Sequence, residues 1–294
     1  MKIAVTGGTG FIGRNLVARL VGDGHQLTVL ARHTILPKAS FDSVDFVEGS
    51  VTQPETLPAA LNGADIVYHL VGIIAETATN TFQKTIVGGT ENVVETCLAA
   101  GVRRIIYLSA MGVTANAVTN YHKTKYCAEQ TVINSGLEHV IFRPSVVYGE
   151  GDGFVSMLRR MIRVSPVTPV VGTGRYPLQP VYIDDLIEAM AGALTVETAR
   201  NKIIEIGGPE KLEYMEILNI IKRVLGKSRM NIRIPIGVMR LIAGLLEKVM
   251  TPAPLTRDQL AMMEMGNTGD ISDMKKLFSI DPIKFEDGLR KYLR

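Results

Sequence analysis

Short apolar segments alternate with amphipathic helical patterns through the first half of the chain. The segments are apolar along their whole length, as expected of strands that are buried on both faces of a parallel sheet. Strands are predicted at 3–6, 27–31, 44–48, 65–71, 104–109 and 140–143, and helices at 11–21, 54–61, 82–100 and 120–134. Helices at these places supply the crossovers that parallel strands need. The pattern therefore predicts an α/β fold built on a doubly wound parallel sheet.

This alternation ends after about residue 149. Prolines and glycines at 166–180 indicate loops and sheet edges, and a helix at 184–196 and a strand at 203–206 follow. After Pro209 we predict several helices and no clear strand. The sheet domain is accordingly assigned to 1–150, with returns from about 181–206, and a smaller, mostly helical C-terminal lobe to 151–294.

Apolar residues recur at helical spacing between Ile236 and Met250, with few charges among them. A core helix of the C-terminal lobe is the favoured interpretation. The alternative is an exposed apolar face for a membrane surface, a greasy substrate tail or a partner protein.

Composition narrows the functional classes. The 294 residues include 32 Lys and Arg against 29 Asp and Glu, a surplus too small to favour a nucleic-acid partner. The uncharged stretch 105–122 contains several polar residues, so no membrane span is predicted there. Cys97 and Cys127 lack metal-ligand spacing and are predicted to be buried free thiols, and the five histidines form no metal-binding pattern. With no leader ahead of the first strand, we expect a cytoplasmic or membrane-peripheral protein.

Three other polar features have structural interpretations. His69 lies in an apolar strand, where a hydrogen-bonded core histidine is favoured over a ligand. His122 and Lys123 are predicted to lie on a solvated helix face. Asp184 and Asp185 are predicted to begin a helix, whose positive end favours acidic side chains, rather than to bind a metal.

A glycine-rich turn, Gly7-x-x-Gly10-x-x-Gly13, joins the first strand to the first helix. Glycines allow a tight turn and close backbone approach, and the N–H groups that begin the helix can then face a bound pyrophosphate. A strand–turn–helix corner without a ligand is the alternative. The strand–helix alternations that follow favour a dinucleotide-binding Rossmann domain.

The second strand ends in Ala31 and Arg32, where an acidic residue would bind the ribose 2′-hydroxyl of NAD. A guanidinium at this place can clamp a 2′-phosphate instead. NADP(H) is therefore favoured, with NAD(H) as the alternative if Arg32 is only a solvated strand-end residue.

Tyr121 and Lys125 are four residues apart and share one face of a predicted helix. An ammonium beside a phenol favours the phenolate, which would let the tyrosine exchange protons near neutral pH. Such pairs are common by chance. The Tyr121–Lys125 pair is more informative than most, because it follows the fifth strand of a predicted dinucleotide-binding fold.

Together, these motifs resemble the extended short-chain dehydrogenase/reductases over essentially the whole chain. The resemblance is carried by TGGTGFIG (6–13), YHKTK (121–125), RPSVVYG (143–149) and VYIDDL (181–186). Two further segments, LSAMG (108–112) and PLTRDQL (254–260), resemble the atypical branch that contains the dehydrogenase-like accessory subunit of mitochondrial complex I and its bacterial relatives.

The resemblance implies residue roles. Tyr121 would be the general acid/base, Lys125 would hold the ribose and lower the tyrosine pKa, and Ser109 would be the third catalytic residue. The implied cofactor contacts are Gly7, Thr9, Gly10, Phe11, Ile12, Gly13 and Arg32, then Gly49, Ser50 and Val51 near the adenine, Leu70, Val71, Gly72 and Lys125 along the cofactor, and Arg143, Pro144, Ser145 and Val146 on the nicotinamide side.

Two positions depart from the family pattern. Ser109 stands one or two residues early, which leaves Ala110 or Met111 in the family's Ser/Thr position, and Ile86 stands where the family has a helical asparagine. These departures bear on turnover more than on cofactor binding.

The expected function is an NADP(H)-dependent oxidoreductase that acts on a carbonyl or alcohol of an apolar substrate, such as a quinone or isoprenoid-like molecule. Two alternatives stay open. One is a non-catalytic nucleotide-binding or assembly subunit of a respiratory or quinone-handling complex, and the other is a redox sensor of the NADP(H) pool. The oligomeric state is not predicted.

Overall fold

Parallel strands and the helices between them account for most of the described chain, which covers residues 1–32, 44–251 and 253–293 of the computed structural model. The strands are β1 (Lys2–Thr6), β2 (Gln26–Ala31), β3 (Val44–Glu48), β4 (Ile66–His69), β5 (Arg104–Leu108), β6 (Glu138–Pro144), β7 (Val147–Tyr148), β8 (Val167–Val171), β9 (Pro177–Leu178), β10 (Val181–Tyr182), β11 (Lys202–Ile206), β12 (Leu212–Glu213) and β13 (Met230–Ile234). The α-helices are α1 (Phe11–Gly22), α2 (Pro58–Leu61), α3 (Gly89–Ala99), α4 (Asn120–Asn134), α5 (Phe154–Val164), α6 (Ile183–Gly192), α7 (Tyr214–Val224), α8 (Ile236–Val249), α9 (Arg257–Met265), α10 (Ser272–Phe278) and α11 (Phe285–Tyr292).

The central sheet has seven strands in the order β11-β6-β5-β4-β1-β2-β3, and every neighbouring pair is parallel. The predicted doubly wound sheet is confirmed. The order reverses between β1 and β4, and in open α/β sheets such a reversal marks the ligand-binding crevice at the carboxyl ends of the strands.

Both faces of the sheet are covered, which explains why its strands are apolar throughout. Ile3 and Val5 pack in a core with α1 and α6, whereas Ala4 between them points into a second core with α3 and α4. Successive residues of a strand point to opposite faces, so each face needs its own apolar set.

Several predicted elements differ in detail. The predicted helix at 54–61 is split into a 3₁₀ turn, Pro54–Thr56, and α2, because Pro58 has no N–H to continue a helical ladder. A π-helical segment, Gln83–Gly88, precedes α3 within the predicted helix at 82–100.

Both cysteines are free, and Cys97 is buried as predicted. Cys127 lies on the outer side of α4 and is exposed, so the prediction that it is buried was wrong.

The C-terminal region is mainly helical, but the prediction that no strand follows Pro209 was wrong. β13 pairs in parallel with β8, and β12 pairs with β9 in antiparallel fashion.

Two helices differ from the prediction. Helix α5 was not predicted, and α8 is not a core helix, since Ala243 is its one buried residue. Among the described residues, no helix is both long and apolar enough to cross a membrane.

The glycine turn fixes how α1 joins the sheet. Gly7 has a φ of 79°, in the left-handed region that favours glycine. A Cβ at Gly13 would lie 2.1 Å from the Gly7 carbonyl oxygen and 2.6 Å from the Gly8 Cα. The first turn of α1 can therefore lie against the end of β1 only if residue 13 has no side chain.

We predict that Gly13→Ala lowers the free energy of unfolding of the cofactor-free chain by about 3 kcal/mol, because the new methyl must displace backbone. Chemical denaturation measures the change. Gly22→Ala, in the same helix but with nothing within 4 Å of the added Cβ, is the matched control. It should change the free energy by no more than about 1 kcal/mol. Equal effects of the two substitutions would contradict this account of the turn.

Candidate cofactor and catalytic site

The predicted site residues follow the carboxyl ends of neighbouring strands. Across the sheet, their order is 143–146 at β6, Ser109 after β5, 70–72 after β4, 7–13 after β1, Arg32 after β2, and 49–51 after β3. Because all these strands are parallel, the segments lie along one edge of the sheet. The fold therefore brings the residues predicted from separate motifs to one side of the molecule.

The glycine turn presents the start of α1 to the crevice. Thr9 and Gly10 are exposed, Phe11 and Ile12 are half-buried, and Gly7 lies against the segment after β4. A Cβ at Gly7 would be 3.1 Å from both the Leu70 carbonyl carbon and the Val71 nitrogen. Gly10 caps α1 without a side-chain hydrogen bond, and the first turn has no acidic residue. These features fit a bound pyrophosphate, which needs free N–H groups and no competing carboxylate.

The segment after β3 is held rigidly beside the end of β2. The Gly49 N–H donates to the Ala31 carbonyl at 3.0 Å, and the Ser50 N–H donates to Thr56 Oγ1 at 3.1 Å. The Asn92 side chain donates to the Val51 carbonyl at 2.8 Å. Arg32, the residue after Ala31, is exposed. Its immediate neighbours from 33 to 43 lie outside the described residues.

Lys125 is buried at the centre of the site. Its Nζ donates to the Leu108 carbonyl at 2.7 Å and to Tyr107 Oη at 3.3 Å. A Cβ at Gly72 would lie 3.3 Å from the same Nζ, so this ammonium lies between the last residues of β5 and the segment that follows β4. Burial lowers the pKa of Lys125 to about 8, and the nearby Glu129 carboxylate opposes that shift.

Tyr121 lies one turn before Lys125 on α4. Its ring packs edge-on against Phe82, with 5.9 Å between ring centroids. Burial raises the pKa of Tyr121 to about 12. The Lys125 ammonium donates to Tyr107 and Leu108, and burial of the phenol disfavours its charged form. Tyr121 is therefore protonated at neutral pH rather than activated as a phenolate.

A buried hydrogen-bonded chain extends from β1 toward Lys125. His69 Nδ1 lies 2.7 Å from Thr6 Oγ1, and its Nε2 lies 3.0 Å from Thr90 Oγ1. Burial and then the Lys125 charge lower the pKa of His69 to about 3, so the ring is neutral. The prediction of a satisfied core histidine is confirmed.

The residues predicted for the nicotinamide side make contacts within the protein. The Nε and Nη2 groups of Arg143 donate hydrogen bonds to the Glu129 carboxylate at 2.8 and 2.5 Å, and these bonds connect β6 to α4. Ser145 Oγ donates to the Asn267 carbonyl at 2.9 Å, and Pro144 is buried beside it. Val146 is half-buried, and its carbonyl accepts from the Val181 N–H at 3.0 Å.

Ser109 is buried directly after β5, and its Oγ has no hydrogen-bond partner among the described residues. Met111 is buried as well, Ala110 is half-buried, and Ile86 is fully buried.

The prediction of a solvated helix face was wrong for His122. Its Nδ1 lies 2.7 Å from Thr119 Oγ1, and its Nε2 lies 3.2 Å from the Met111 carbonyl oxygen. The first turn of α4 packs on the loop after β5, which buries that ring, whereas Lys123 is exposed.

Asp258 lies within the PLTRDQL segment, but the sequence analysis gave it no role. Its carboxylate accepts from the backbone N–H groups of Asn120 and Tyr121 at 3.0 and 3.1 Å. The preceding Thr256 and the following Gln259 form a capping box that begins α9, and Gln259 also donates to the Ile74 carbonyl at 3.3 Å. A capping-box pattern is visible in the sequence. Its contact with α4 spans 137 residues, which no local pattern reports.

Between these segments lies a cleft of about 650 Å³ beside the start of α4. It is lined by Ala75, Glu76, Thr77, Ala78, Phe82, Val118, Thr119, Asn120, Glu247, Met250, Thr251, Ala253, Thr256, Arg257, Asp258 and Ala261. Its walls come from the loop after β4, the start of α4 and the α8–α9 connection. Asp184 and Asp185 lie elsewhere, in the first turn of α6 as predicted.

Comparison with known proteins settles the family. The sequence profile described as the NAD dependent epimerase/dehydratase family matches residues 3–207. The chain belongs to that family. The match runs from β1 to just past β11 and therefore includes every strand of the central sheet.

Two proteins with different described roles are similar to the chain. It is 27% identical to the 2-alkyl-3-oxoalkanoate reductase of Stenotrophomonas maltophilia, over 99% of this chain and 98% of that protein. It is 25% identical to subunit 9 of the NADH dehydrogenase [ubiquinone] 1 alpha subcomplex from Arabidopsis thaliana mitochondria, over 96% of this chain and 72% of that protein. The latter match supports the predicted likeness to the complex I branch.

The solved structure of a dTDP-glucose 4,6-dehydratase double mutant (DesIV) from Streptomyces venezuelae, with NAD and DAU bound, has the same fold. It superposes with a TM-score of 0.78 at 21% identity, covering 99% of this chain and 95% of that one.

The buried ammonium makes stability depend on pH. Because the pKa of Lys125 is about 8 when folded and its usual value is 10.5, the unfolded chain binds more protons between these values. We predict that the free energy of unfolding of the wild type rises by roughly 2 kcal/mol, relative to Lys125→Met, from pH 7 to pH 10. Denaturation at each pH measures the difference. The free energy of unfolding of the exposed Lys123→Met variant should change with pH as that of the wild type does. If the Lys125→Met variant also showed the wild-type pH dependence, the lowered pKa of Lys125 would be contradicted.

Asp258 stabilises the start of α4 from the C-terminal region. We predict that Asp258→Ala lowers the free energy of unfolding by about 1–2 kcal/mol, since two N–H groups at the positive end of the helix lose their acceptor. Asp281→Ala, at an exposed position, should change it by less than about 0.5 kcal/mol. Urea titration measures the free energy of unfolding of both variants. If their unfolding midpoints were indistinguishable, the Asp258 contact would add nothing to stability.

Proposed function

We propose that this chain is an NADP(H)-dependent oxidoreductase that reduces a carbonyl group of an apolar substrate, with Tyr121 as the proton donor. The observation that carries the proposal is the position of Lys125 on the same helix as Tyr121. Its buried ammonium lies between the end of β5 and the segment that follows β4. When bound, the nicotinamide cofactor would supply or accept a hydride. The glycine turn, 49–51 and 70–72 would hold it.

The phenol of Tyr121 suits the direction of reduction. With a pKa raised to about 12 by burial, it is protonated at neutral pH and can donate a proton to the oxygen of a carbonyl that becomes an alcohol. Lys125 would hold the ribose and offset the charge left on the phenolate. Asp258 and Gln259 would act as positioning residues, because they fix the backbone of Tyr121 and the loop after β4 from one capping box.

The cleft beside α4 is the proposed substrate site. Phe82 lines the cleft and packs on the ring of the buried Tyr121, so the cleft lies one side chain away from the phenol. Ala75, Ala253 and Met250 form an apolar part of the wall, where an alkyl or prenyl chain would pack. The rest of the lining is mainly polar and includes the charged Glu76, Arg257 and Asp258. The Stenotrophomonas relative is named as a reductase of an oxoalkanoate, which supports a carbonyl on an alkyl chain.

Two family positions favour a second candidate, a nucleotide-binding accessory subunit without turnover. Ser109 Oγ is buried and Ile86 stands at the position of the family's asparagine, so the usual proton-handling set is incomplete. The plant relative is named as a subunit of a ubiquinone-reducing complex. This candidate predicts retained cofactor and no substrate turnover in any variant.

Tyr121→Phe separates the two candidates. We predict that it lowers the rate of NADPH-dependent reduction of medium-chain oxoalkanoates and short-chain quinones by roughly 10²–10⁴-fold, because the general acid is lost. Tyr126→Phe, on the same helix and half-buried, should leave the rate unchanged. Absorbance of NADPH at its nicotinamide band follows the reaction. An unchanged rate for Tyr121→Phe, or no turnover by wild type over the whole panel, would contradict the enzyme proposal.

Arg32 is the proposed determinant of NADP(H) preference. We predict that Arg32→Ala weakens NADPH binding by roughly tenfold while NADH binding stays nearly constant, because a guanidinium–phosphate contact is lost. Calorimetric titration gives both dissociation constants. Arg103→Ala, exposed at the opposite end of the sheet, is the control. If Arg32→Ala does not change the NADPH/NADH affinity ratio, Arg32 is not the determinant of cofactor preference. Another residue then sets the preference, or the chain does not discriminate between the two cofactors.

A further inference from the structure

Helix α8 carries an apolar face that the rest of the described chain leaves uncovered. Its side chains Val238, Leu241, Ile242, Leu245 and Val249 are 46, 66, 39, 56 and 82% exposed. Their spacing of three, one, three and four residues places them on one side of the helix, within an arc of roughly 100°. We call these five residues the α8 stripe.

The opposite side of α8 is attached to the protein. Ala243 is buried there, Arg240 pairs with Glu264 at 2.7 Å, and Glu247 pairs with Arg257 at 2.8 Å, both partners lying on α9. The helix is therefore held in place with its stripe outward. Five large aliphatic side chains on one exposed helix face are more than isolated surface residues, and such patches mark interaction sites.

The charged residues of the segment that carries the stripe are mainly basic. From 222 to 250 the chain has seven basic residues and one acidic residue, Glu247, which is already paired with Arg257. Among the described residues, Lys227, Arg233 and Lys248 form no salt bridge, and all three are exposed. Lys248 borders the stripe within α8, and Arg233 lies on β13, three residues before the first residue of α8.

These two properties together match an anionic lipid surface. An interfacial helix buries an aliphatic face at the boundary of headgroups and acyl chains while Lys and Arg meet the lipid phosphates. Tight protein–protein interfaces instead depend on aromatic anchors, and the stripe contains none. We propose that the α8 stripe, with Lys227, Arg233 and Lys248, docks this chain on a membrane that contains anionic phospholipid.

Docking through α8 would also orient the cleft. Glu247 and Met250, at the end of α8, line the cleft beside Phe82 and Asn120. A chain docked by the stripe would hold one wall of that cleft behind α8, separated from the bilayer by the helix. The docking itself does not depend on the proposed reaction and can be tested without substrate.

Flotation of the full chain with lipid vesicles tests the proposal. One set of vesicles is pure phosphatidylcholine, and the other contains about a third phosphatidylglycerol. We expect the wild type to bind the anionic vesicles roughly tenfold more strongly than the neutral ones, and to lose this preference at high salt. The Leu241→Ser/Leu245→Ser variant should bind at least about tenfold more weakly, since two inserted side chains are lost.

The control is Leu98→Ser, at an exposed leucine of α3 outside the stripe, which should bind as wild type does. Arg233→Glu/Lys248→Glu tests the charges separately and should abolish only the preference for anionic lipid. Unfolding midpoints and NADPH affinity of all variants should match wild type, so failure of docking and failure of cofactor binding remain distinct. Equal vesicle binding by wild type and the α8 double serine variant would overturn the proposal. So would wild-type self-association through the stripe with no binding to anionic vesicles.

Discussion

The first turn of α1 can lie against the end of β1 only because Gly13 has no side chain. The Gly7 carbonyl occupies the space where a Cβ would be, 2.1 Å away, and no rotamer of any larger residue avoids the backbone. This contact directs the unpaired N–H groups of α1 toward the crevice between β1 and β4. The carboxyl ends of the other parallel strands reach the same edge of the sheet, so the remaining site residues are assembled around this corner.

Lys125 is the second constraint, and it has an energetic cost. A buried ammonium is destabilising unless its hydrogen bonds are satisfied, and the Leu108 carbonyl and Tyr107 hydroxyl supply two of them. The neutral His69, kept uncharged by burial and by Lys125, links Thr6 at the end of β1 to Thr90 by hydrogen bonds. The site is thus built on polar groups that the core accommodates with few unpaired atoms, Ser109 Oγ being an exception.

Local patterns predicted the parts of the fold that local physics determines. The buried strands and α4 were found because an all-apolar run or a helical period reports burial directly. Asp258, His122 and Cys127 show the limit, since their environments depend on which distant segment packs on α4. Strand β13 was missed because its partner β8 lies some 60 residues earlier, and α8 was misassigned because an apolar helical period does not tell a covered face from an uncovered one.

We infer that the corner made by Gly7, Gly13 and Lys125 binds a nicotinamide dinucleotide. Calorimetric titration of the cofactor-stripped protein with NADPH and with NADH tests this inference without a substrate or any assumption about turnover. We expect saturable binding at a single site per chain, tighter for NADPH. Absence of binding by both dinucleotides, in a chain that is shown to be folded, would contradict it and leave the glycine turn as a purely structural corner.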